Sequence, residues 1–387
     1  SARTKNGKGI MHRGQTMNKV LFSFLSLITI LPGVTSADEV ELKAVFDPII
    51  EEMMAEKNIQ GFVFSVVSKD DVLYKNTYGV KNMYSREPES NASLFHMASV
   101  TKTFVGTALM QLHEQGKLDI DQPVVEIVPY FVLVDSRYKD LTIRQFASHI
   151  SGMPDFDSDP WHNPQYDEEA LERFVRNFIS HKFLTHEPET VFQYCNTGYE
   201  LLGDVISKAS GMSFEDYVLE NILIPAGMVN STLLLHEADM TNLNSLHLQK
   251  DGELSIADVY PYNRMHGPSS TLISNIDDMA RWVQLNLNGG TLNGNRVLRK
   301  ETLDHMWKPA VGKNGNQFDR VGISWQRREQ NGHLTIFHGG SDGFRAYIIM
   351  IPDVDIGFVW MSNTAGQPYH DFSMKIAEKL IEYRGNE

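Results

Sequence analysis

The sequence predicts an α/β (α+β) fold, in which helices flank an antiparallel sheet and a mainly helical segment is inserted into the sheet-forming part. Strand-like runs of apolar and β-branched residues occur near both ends of the 387-residue chain, whereas helical periodicity dominates between them. Hydrophobic residues make up 42% of the chain and aromatic residues 10%, which is enough for a sizeable core.

The N-terminal strands are predicted to form a hairpin. A helical pattern over 44–57 precedes the apolar run Gly61–Val67, and a polar turn separates this run from a second strand over 72–78. The C-terminal part is predicted to contain four strands, at 321–325, 334–337, 345–351 and 356–361. A helix over 371–383 follows them. We expect strands from the two ends to share one antiparallel sheet.

The middle of the chain is predicted to be helical at 101–115, 141–148, 168–183, 198–209, 213–222 and 277–287. We therefore assign 38–95 and 318–387 to an α/β domain and 96–317 to a mainly helical domain, with the active site at their interface. The acidic stretch 155–167 contains proline and aromatic residues, and it is expected to form a long surface loop that shapes specificity.

The first 37 residues are not expected to belong to the folded core. Residues 1–10 resemble a tag or upstream sequence, and 11–37 read as a signal peptide. Lys19 precedes an apolar run, and a short stretch of small residues that is typical of a cleavage site ends at Ala37. The run has about 12 residues, whereas a membrane-spanning helix needs about 20. The sequence therefore predicts a periplasmic or secreted protein with no stable membrane anchor after cleavage.

Composition argues against several classes of function. The net charge is −14, and removal of residues 1–37, which hold five basic residues and no acid, makes it −19. A chain this acidic is a poor partner for nucleic acid or anionic membranes. The single cysteine, Cys195, excludes an intramolecular disulfide. The fourteen histidines are scattered without a metal-binding motif, so no metal and no cofactor is predicted.

Ser99 and Lys102 form the first motif with a chemical meaning. A serine three residues before a lysine at a helix start places both side chains on one face. An amine at this distance can turn the hydroxyl into a nucleophile. Considered alone, the pair could equally be a capping serine and a solvated lysine.

Two later motifs add to this chemistry. In Tyr194-Cys-Asn196, a phenol held partly ionised by a nearby ammonium could serve as a base or as a proton donor. In His338-Gly-Gly-Ser341, the paired glycines Gly339 and Gly340 would let a substrate lie against the strand, where a backbone N–H can face an oxyanion. Each motif also has an ordinary interpretation. Tyr194-Cys-Asn196 could be a loop with a packed ring, and His338-Gly-Gly-Ser341 could be a turn.

Together and in this order, the three motifs resemble those of the serine β-lactamase-like hydrolases. This group includes class C β-lactamases, related family VIII esterases, D-amino-acid peptidases and low-molecular-mass penicillin-binding proteins. The resemblance extends to the segments 146–154, 278–283 and 361–364 and covers most of residues 45–385. It implies a β-lactamase/transpeptidase-like fold.

The resemblance also implies roles for individual residues. Ser99 would be the nucleophile that forms an acyl-enzyme, and Lys102 would share its proton. Tyr194 would be the general base in acylation and the acid toward the leaving group. Asn196 would hold a substrate carbonyl or orient Lys102. The backbone N–H groups of Ser99 and Ser341 would form the oxyanion hole.

One departure bears on the substrate. β-Lactamases and penicillin-binding proteins carry Lys-Thr-Gly or a close variant where this chain has His338-Gly339-Gly340. A histidine supplies a positive charge near pH 7 only if its pKa is raised. The sequence therefore favours hydrolysis of esters or amides by an esterase or D-amino-acid peptidase-like enzyme, with possible weak β-lactamase activity. The alternatives are a class C-like β-lactamase, a DD-peptidase, or a non-catalytic protein that binds or senses cell-wall fragments.

Overall fold

The computed structural model describes residues 37–156, 160–366 and 369–385. Its helices are α1 (Ala37–Lys57), α2 (Lys102–Glu114), α3 (Ile143–Ala147), α4 (Ala170–Asn177), α5 (Asn196–Ser210), α6 (Phe214–Val218), α7 (Gly267–Ser270), α8 (Ile276–Leu287), α9 (Lys300–Met306) and α10 (His370–Gly385). Its strands are β1 (Gly61–Val67), β2 (Val72–Gly79), β3 (Phe95–His96), β4 (His247–Lys250), β5 (Glu253–Ile256), β6 (Ile273–Ser274), β7 (Thr291–Leu292), β8 (Asn295–Arg296), β9 (Ala310–Val311), β10 (Gln317–Phe318), β11 (Gln326–Gln330), β12 (His333–Asp342), β13 (Phe344–Ile351) and β14 (Ile356–Ser362).

Six of these strands form one antiparallel sheet in the order β11-β12-β13-β14-β1-β2. The N-terminal hairpin joins the C-terminal strands where β1 pairs with β14, with Phe62 opposite Ser362. The predicted sharing of one sheet by the two ends of the chain is therefore confirmed. The fold is the predicted mixture of an antiparallel sheet and helices.

Both faces of the sheet are covered by helices. Strand β1 is buried along its whole length, and its side chains alternate between two hydrophobic clusters. Phe62 and Phe64 belong to the cluster that includes residues of α1 and α10, whereas Val63 and Val67 belong to the cluster that includes residues of α2 and α8. The apolar runs of the strand sequences follow from this burial on two sides.

Helix α2 lies in the interior of the larger cluster, where every residue from Lys102 to Leu112 is buried. Helix α5 packs against α2, α4 and α7. A lysine at the first position of α2 is thereby removed from solvent, which has consequences for its protonation.

Some elements differ from the predicted ones. The segment 321–325 is a buried connection rather than a strand. Ser324 has a φ of 59° and donates its N–H to the Ala147 carbonyl, outside the sheet. The edge strand is instead the polar β11. The helix predicted over 168–183 is limited to α4, after which the chain turns and the Lys182 ammonium donates to the Asp155 carbonyl.

The described residues group as one compact unit. Nothing in the structure tests the division into an α/β domain (38–95 and 318–387) and a helical domain (96–317), so it stays a prediction. The predicted upstream residues and signal peptide lie outside the described residues, apart from Ala37. Over the described part of the chain, no helix combines the length and apolarity needed to cross a membrane.

Candidate active site

The candidate nucleophile Ser99 lies in a constrained turn at the start of α2. Ala98 precedes it with a φ of 48°, a conformation that alanine rarely adopts. The Met97 N–H donates to the Leu272 carbonyl at 2.7 Å, and the Thr101 hydroxyl donates to the Ala98 carbonyl at 2.7 Å. These contacts hold the turn in place and present Ser99, which is partly exposed, at the helix N-terminus.

Lys102 contacts Ser99 as its spacing predicted. Its Nζ lies 3.0 Å from Ser99 Oγ and donates to the Ser269 carbonyl at 2.8 Å. The side chain is fully buried, and this burial lowers its pKa to about 8, although the charges of Glu200, Asp342 and Asp155 oppose the change. Near neutral pH a fraction of Lys102 is therefore an uncharged amine that can accept a proton.

Tyr194 completes the group around Ser99. Its phenol interacts with the Ser99 side chain, and Lys102 Nζ lies 5.1 Å from the centre of its ring. Burial raises the pKa of Tyr194 well above its ordinary value, and the interaction with Ser99 offsets only part of this effect. Tyr194 is half-buried, and its raised pKa favours the protonated phenol near neutral pH. Its predicted role as the base stays a prediction.

His149 packs its ring against the Tyr194 ring. Its ring stacks on the Tyr194 ring with 4.2 Å between centroids and an interplanar angle of 26°. Its Nδ1 accepts the Cys195 N–H at 3.1 Å. Burial, followed by the charge of Lys102, places the pKa of His149 well below its ordinary value, so the ring is neutral.

Strand β12 leaves part of its edge open beside Ser99. The neighbouring strand β11 pairs with β12 only as far as Phe337, opposite Gln326, so residues 338–341 have no strand on that side. A Cβ at Gly340 would lie 2.3 Å from the Met97 carbonyl oxygen and 3.2 Å from the Ser99 nitrogen. Only glycine permits this approach. The oxyanion hole predicted from the N–H groups of Ser99 and Ser341 stays a prediction.

His338 is buried on this strand rather than exposed to a substrate charge. Its Nδ1 lies 2.8 Å from the Gly339 carbonyl oxygen. Burial, and then the charge of Lys102, lowers the pKa of His338 to about 3. The ring is therefore neutral at physiological pH and offers no positive charge for a substrate carboxylate.

Asn196 begins α5 and is held by Asp155. The backbone N–H of Asn196 donates to this carboxylate at 3.0 Å, and its side-chain amide does so at 2.8 Å. Among the described residues, the hydrogen bonds of Asn196 end on Asp155, and none reaches Lys102. Its predicted role toward a substrate carbonyl stays a prediction.

Cys195, beside these residues, has a structural role. Its sulfur accepts the Gly198 N–H at 3.3 Å and so caps α5. Burial raises the pKa of the thiol to about 12. Cys195 is therefore protonated near neutral pH and is not expected to act as a second nucleophile.

Sequence reasoning missed Glu200 and Ser269. Glu200 is fully buried and accepts hydrogen bonds from the Ser269 N–H at 3.1 Å and the Ser269 hydroxyl at 2.5 Å. The Ser269 carbonyl in turn binds Lys102. One signal was present in the sequence, because Glu200 is a charged residue among the mostly apolar residues of α5, one turn after Asn196.

Within the described ranges, no group of three or more His, Cys, Asp or Glu side chains is arranged to hold a metal ion. The site consists of a serine hydroxyl, a buried lysine of lowered pKa, a protonated phenol and the glycine-bearing edge of a strand. These are the components of an acyl-transfer site that uses a serine nucleophile.

Comparisons with known proteins agree with this class. The family model "Beta-lactamase" matches residues 46–381, and the chain belongs to this family. It is 27% identical to Beta-lactamase-like protein 2 of Dictyostelium discoideum over 87% of its own length and 62% of that protein's. It is 26% identical to Penicillin-binding protein 4* of Bacillus subtilis, with 85% of this chain and 74% of that protein covered.

A solved structure is also similar. The octameric penicillin-binding protein homologue from Pyrococcus abyssi matches with a TM-score of 0.76 and 26% identity, covering 88% of this chain and 77% of that one. The chain spans about 62% of the length of the Dictyostelium protein, so a complete relative contains sequence that this chain does not match.

Proposed function

We propose that the protein is a serine hydrolase that forms an acyl-enzyme with small esters or amides. The observation that carries this proposal is the contact of 3.0 Å between Ser99 Oγ and Lys102 Nζ, with the lysine fully buried and its pKa lowered to about 8. A structural lysine at a helix start would be solvated and charged. Family membership supports the same reaction class.

The pKa directions assign the proton transfers. Uncharged Lys102 accepts the Ser99 proton as Oγ attacks the substrate carbonyl, because its pKa lies near the working pH. Tyr194 stays protonated and donates its phenolic proton to the leaving oxygen or nitrogen, then regains a proton from Lys102. Water repeats the attack on the acyl-enzyme. This assignment places the general base on Lys102 rather than on Tyr194 and keeps Tyr194 as the acid.

The neutral His338 favours esters and amides over β-lactams. The family pattern at this position is a lysine, and its charge is absent here, because His338 is buried with a pKa of about 3. A β-lactam carboxylate would meet no cation from this residue. A class C-like β-lactamase and a DD-peptidase are the alternatives within the same chemistry.

The first experiment compares the wild type with Ser99→Ala on three substrates: p-nitrophenyl butyrate, a chromogenic cephalosporin and a D-alanyl p-nitroanilide. We expect turnover of the ester, reduced by at least about 10³-fold in Ser99→Ala, since the nucleophile is lost. Ser255→Ala is the matched control, because Ser255 is exposed on β5 away from the site. Mass spectrometry with a phosphonate ester probe reports acylation at Ser99 independently of turnover.

The outcomes separate the classes of function. Turnover of the cephalosporin or the anilide instead of the ester would favour the β-lactamase or the peptidase. Stoichiometric labelling of Ser99 without turnover of any substrate would favour the protein that binds or senses cell-wall fragments. Absence of both labelling and turnover would contradict the proposed serine hydrolase with Ser99 as its nucleophile.

We also propose that the protein is exported, on the basis of residues 11–37. Expression of the full chain in a bacterium should yield a periplasmic or secreted product cleaved after Ala37. An uncleaved cytoplasmic product, identified by its N-terminal sequence, would contradict this.

A further inference from the structure

A cavity of about 510 Å³ opens beside Tyr194, the residue that contacts Ser99. Phe192, Phe337 and the Tyr194 ring supply aromatic walls. Three arginines also line it, Arg320, Arg327 and Arg328. An adjoining cavity of about 520 Å³ is lined by the same three arginines together with Asp319 and Glu329, and the two cavities form a groove along this edge of the sheet.

The arginines stand out because the chain is acidic and they are not neutralised. Only one carboxylate, that of Glu329, lines the first cavity. Over the described residues, none of the three guanidinium groups forms an ion pair with a carboxylate, whereas other arginines, such as Arg137, do. Arg320 and Arg328 are exposed and Arg327 is half-buried, so an anion that entered the groove would meet guanidinium donors that no protein carboxylate occupies.

The contacts of Arg327 and Arg328 leave most of their donors available. Arg327 donates one N–H to the Asp319 carbonyl at 2.8 Å, and its Nε is buried without a hydrogen-bond partner. Arg328 donates to His370 Nε2 at 3.4 Å. Burial and the charge of Arg328 lower the pKa of His370, so this partner is neutral and does not cancel the arginine's charge.

We propose that this groove, called here the arginine groove (Arg320, Arg327 and Arg328), binds a carboxylate carried by the substrate. A planar guanidinium matches a carboxylate through two parallel hydrogen bonds. The aromatic walls that Phe192, Phe337 and Tyr194 supply suit an apolar linker. The groove supplies the cation that the neutral His338 does not. The inference rests on the proposed hydrolase and narrows its substrates to esters or amides with a remote carboxylate.

The test compares neutral and anionic esters. p-Nitrophenyl butyrate is the neutral ester, p-nitrophenyl hemiglutarate places a carboxylate on the acyl side, and 3-carboxy-4-nitrophenyl butyrate places one on the leaving group. The ratio of kcat/KM for each anionic ester to that for the neutral ester is measured in the wild type, Arg327→Gln and Arg328→Gln. Arg296→Gln is the control, since Arg296 is exposed on β8 and lines neither cavity.

We expect one of the two anionic ratios to fall by about tenfold or more in Arg327→Gln and to fall also in Arg328→Gln, because a partner of a charge-assisted contact is removed. The same ratio should fall in 0.5 M NaCl. The Arg296→Gln ratio should equal that of the wild type. Arg328 is exposed, so its variant keeps the test valid if Arg327→Gln does not fold. Ratios unchanged in both arginine variants would overturn the proposal.

A second measurement keeps this inference separate from the proposed hydrolase. Should no ester be turned over, the hydrolase fails, yet the groove can still be tested by calorimetry with isophthalate, a small aromatic dicarboxylate. Binding to the full chain that weakens about tenfold in Arg327→Gln and Arg328→Gln would support the arginine groove. Absence of isophthalate binding, or equal binding in all variants, would overturn it.

Discussion

At the residue scale, the properties of Lys102 depend on the groups packed around it. Burial alone would favour the uncharged amine, whereas the charge of Glu200 favours the ammonium. The balance places the pKa at about 8, close to the pH at which a base is useful. Glu200 touches Lys102 only through Ser269, so it is a positioning residue whose charge also adjusts the lysine's pKa.

The pH dependence of activity tests this balance. Because the uncharged form of Lys102 accepts the Ser99 proton, kcat/KM for the neutral ester should rise with pH through about 8. Glu200→Gln removes a carboxylate that raises the pKa of Lys102, so its profile should have a midpoint at lower pH. Glu301→Gln, an exposed change on α9, serves as the control and should keep the wild-type midpoint.

A merely structural role for Glu200 would lower kcat without moving the midpoint, and that result would contradict the electrostatic account. A profile that continues to rise above pH 10 would instead indicate Tyr194 as the base, since burial raises the pKa of that phenol.

At the element scale, strand β12 shows how a short sequence motif depends on its neighbours. We predicted a strand over 334–337 with the glycines after it, but β12 extends to Asp342 and contains them. Glycines are unfavourable inside strands by propensity, which explains the shorter prediction. The structure explains both glycines, because a Cβ at Gly340 would collide with the turn that holds Ser99, and a Cβ at Gly339 would collide with the Tyr347 ring.

Gly340→Ala is expected to abolish most activity, because its Cβ would lie 2.3 Å from the Met97 carbonyl and would displace the strand from Ser99. We expect kcat/KM for the neutral ester to fall by about 10²-fold or more, because the backbone N–H groups of β12 would lose their alignment with the Ser99 hydroxyl. Gly332→Ala is the control. It lies in the turn before β12, with a φ of 82° and no atom within 4 Å of the added Cβ.

Gly332→Ala should cost about 1 kcal/mol of stability through its backbone conformation while keeping kcat. Equal losses of activity in the two variants would mean that β12 stability, rather than its approach to Ser99, limits catalysis.

The edge strand β11 was missed by sequence analysis for a physical reason. Its sequence Gln-Arg-Arg-Glu-Gln is polar on both faces, since the strand lies at the edge of the sheet and lines the arginine groove. The apolar run 321–325 just before it resembles a strand but is buried as a connection. The composition of each segment follows from how deeply it is buried, not from whether it forms a strand. The pattern of apolar residues therefore could not show which of the two segments is the strand.

At the scale of the whole molecule, the burial of Lys102 reduces the stability of the fold. Lys102 is fully buried with a pKa of about 8, below its ordinary value of 10.5. The unfolded chain therefore holds the proton more tightly than the folded one. The resulting penalty on folding is about 3 kcal/mol below pH 8 and disappears as the pH rises toward 10.5.

Lys102→Met should remove this pH dependence. We expect the free energy of unfolding of the wild type, relative to the variant, to increase by about 2 kcal/mol between pH 7 and pH 9.5. Urea denaturation at the two pH values measures it. A constant difference between wild type and variant would mean that Lys102 keeps its proton in the folded protein over this range, so that its pKa is not lowered.

Sequence alone determined the fold class and the chemical groups of the site, because both depend on the order and spacing of residues that are close together in the chain. Apolar runs predicted a sheet built from the two ends of the chain, and the spacing of Ser99 and Lys102 placed them on one helix face. The protonation states were decided by the tertiary structure. The neutral His338, the protonated Tyr194, the influence of Glu200 and the arginine groove all arise from burial and from contacts between segments far apart in the chain.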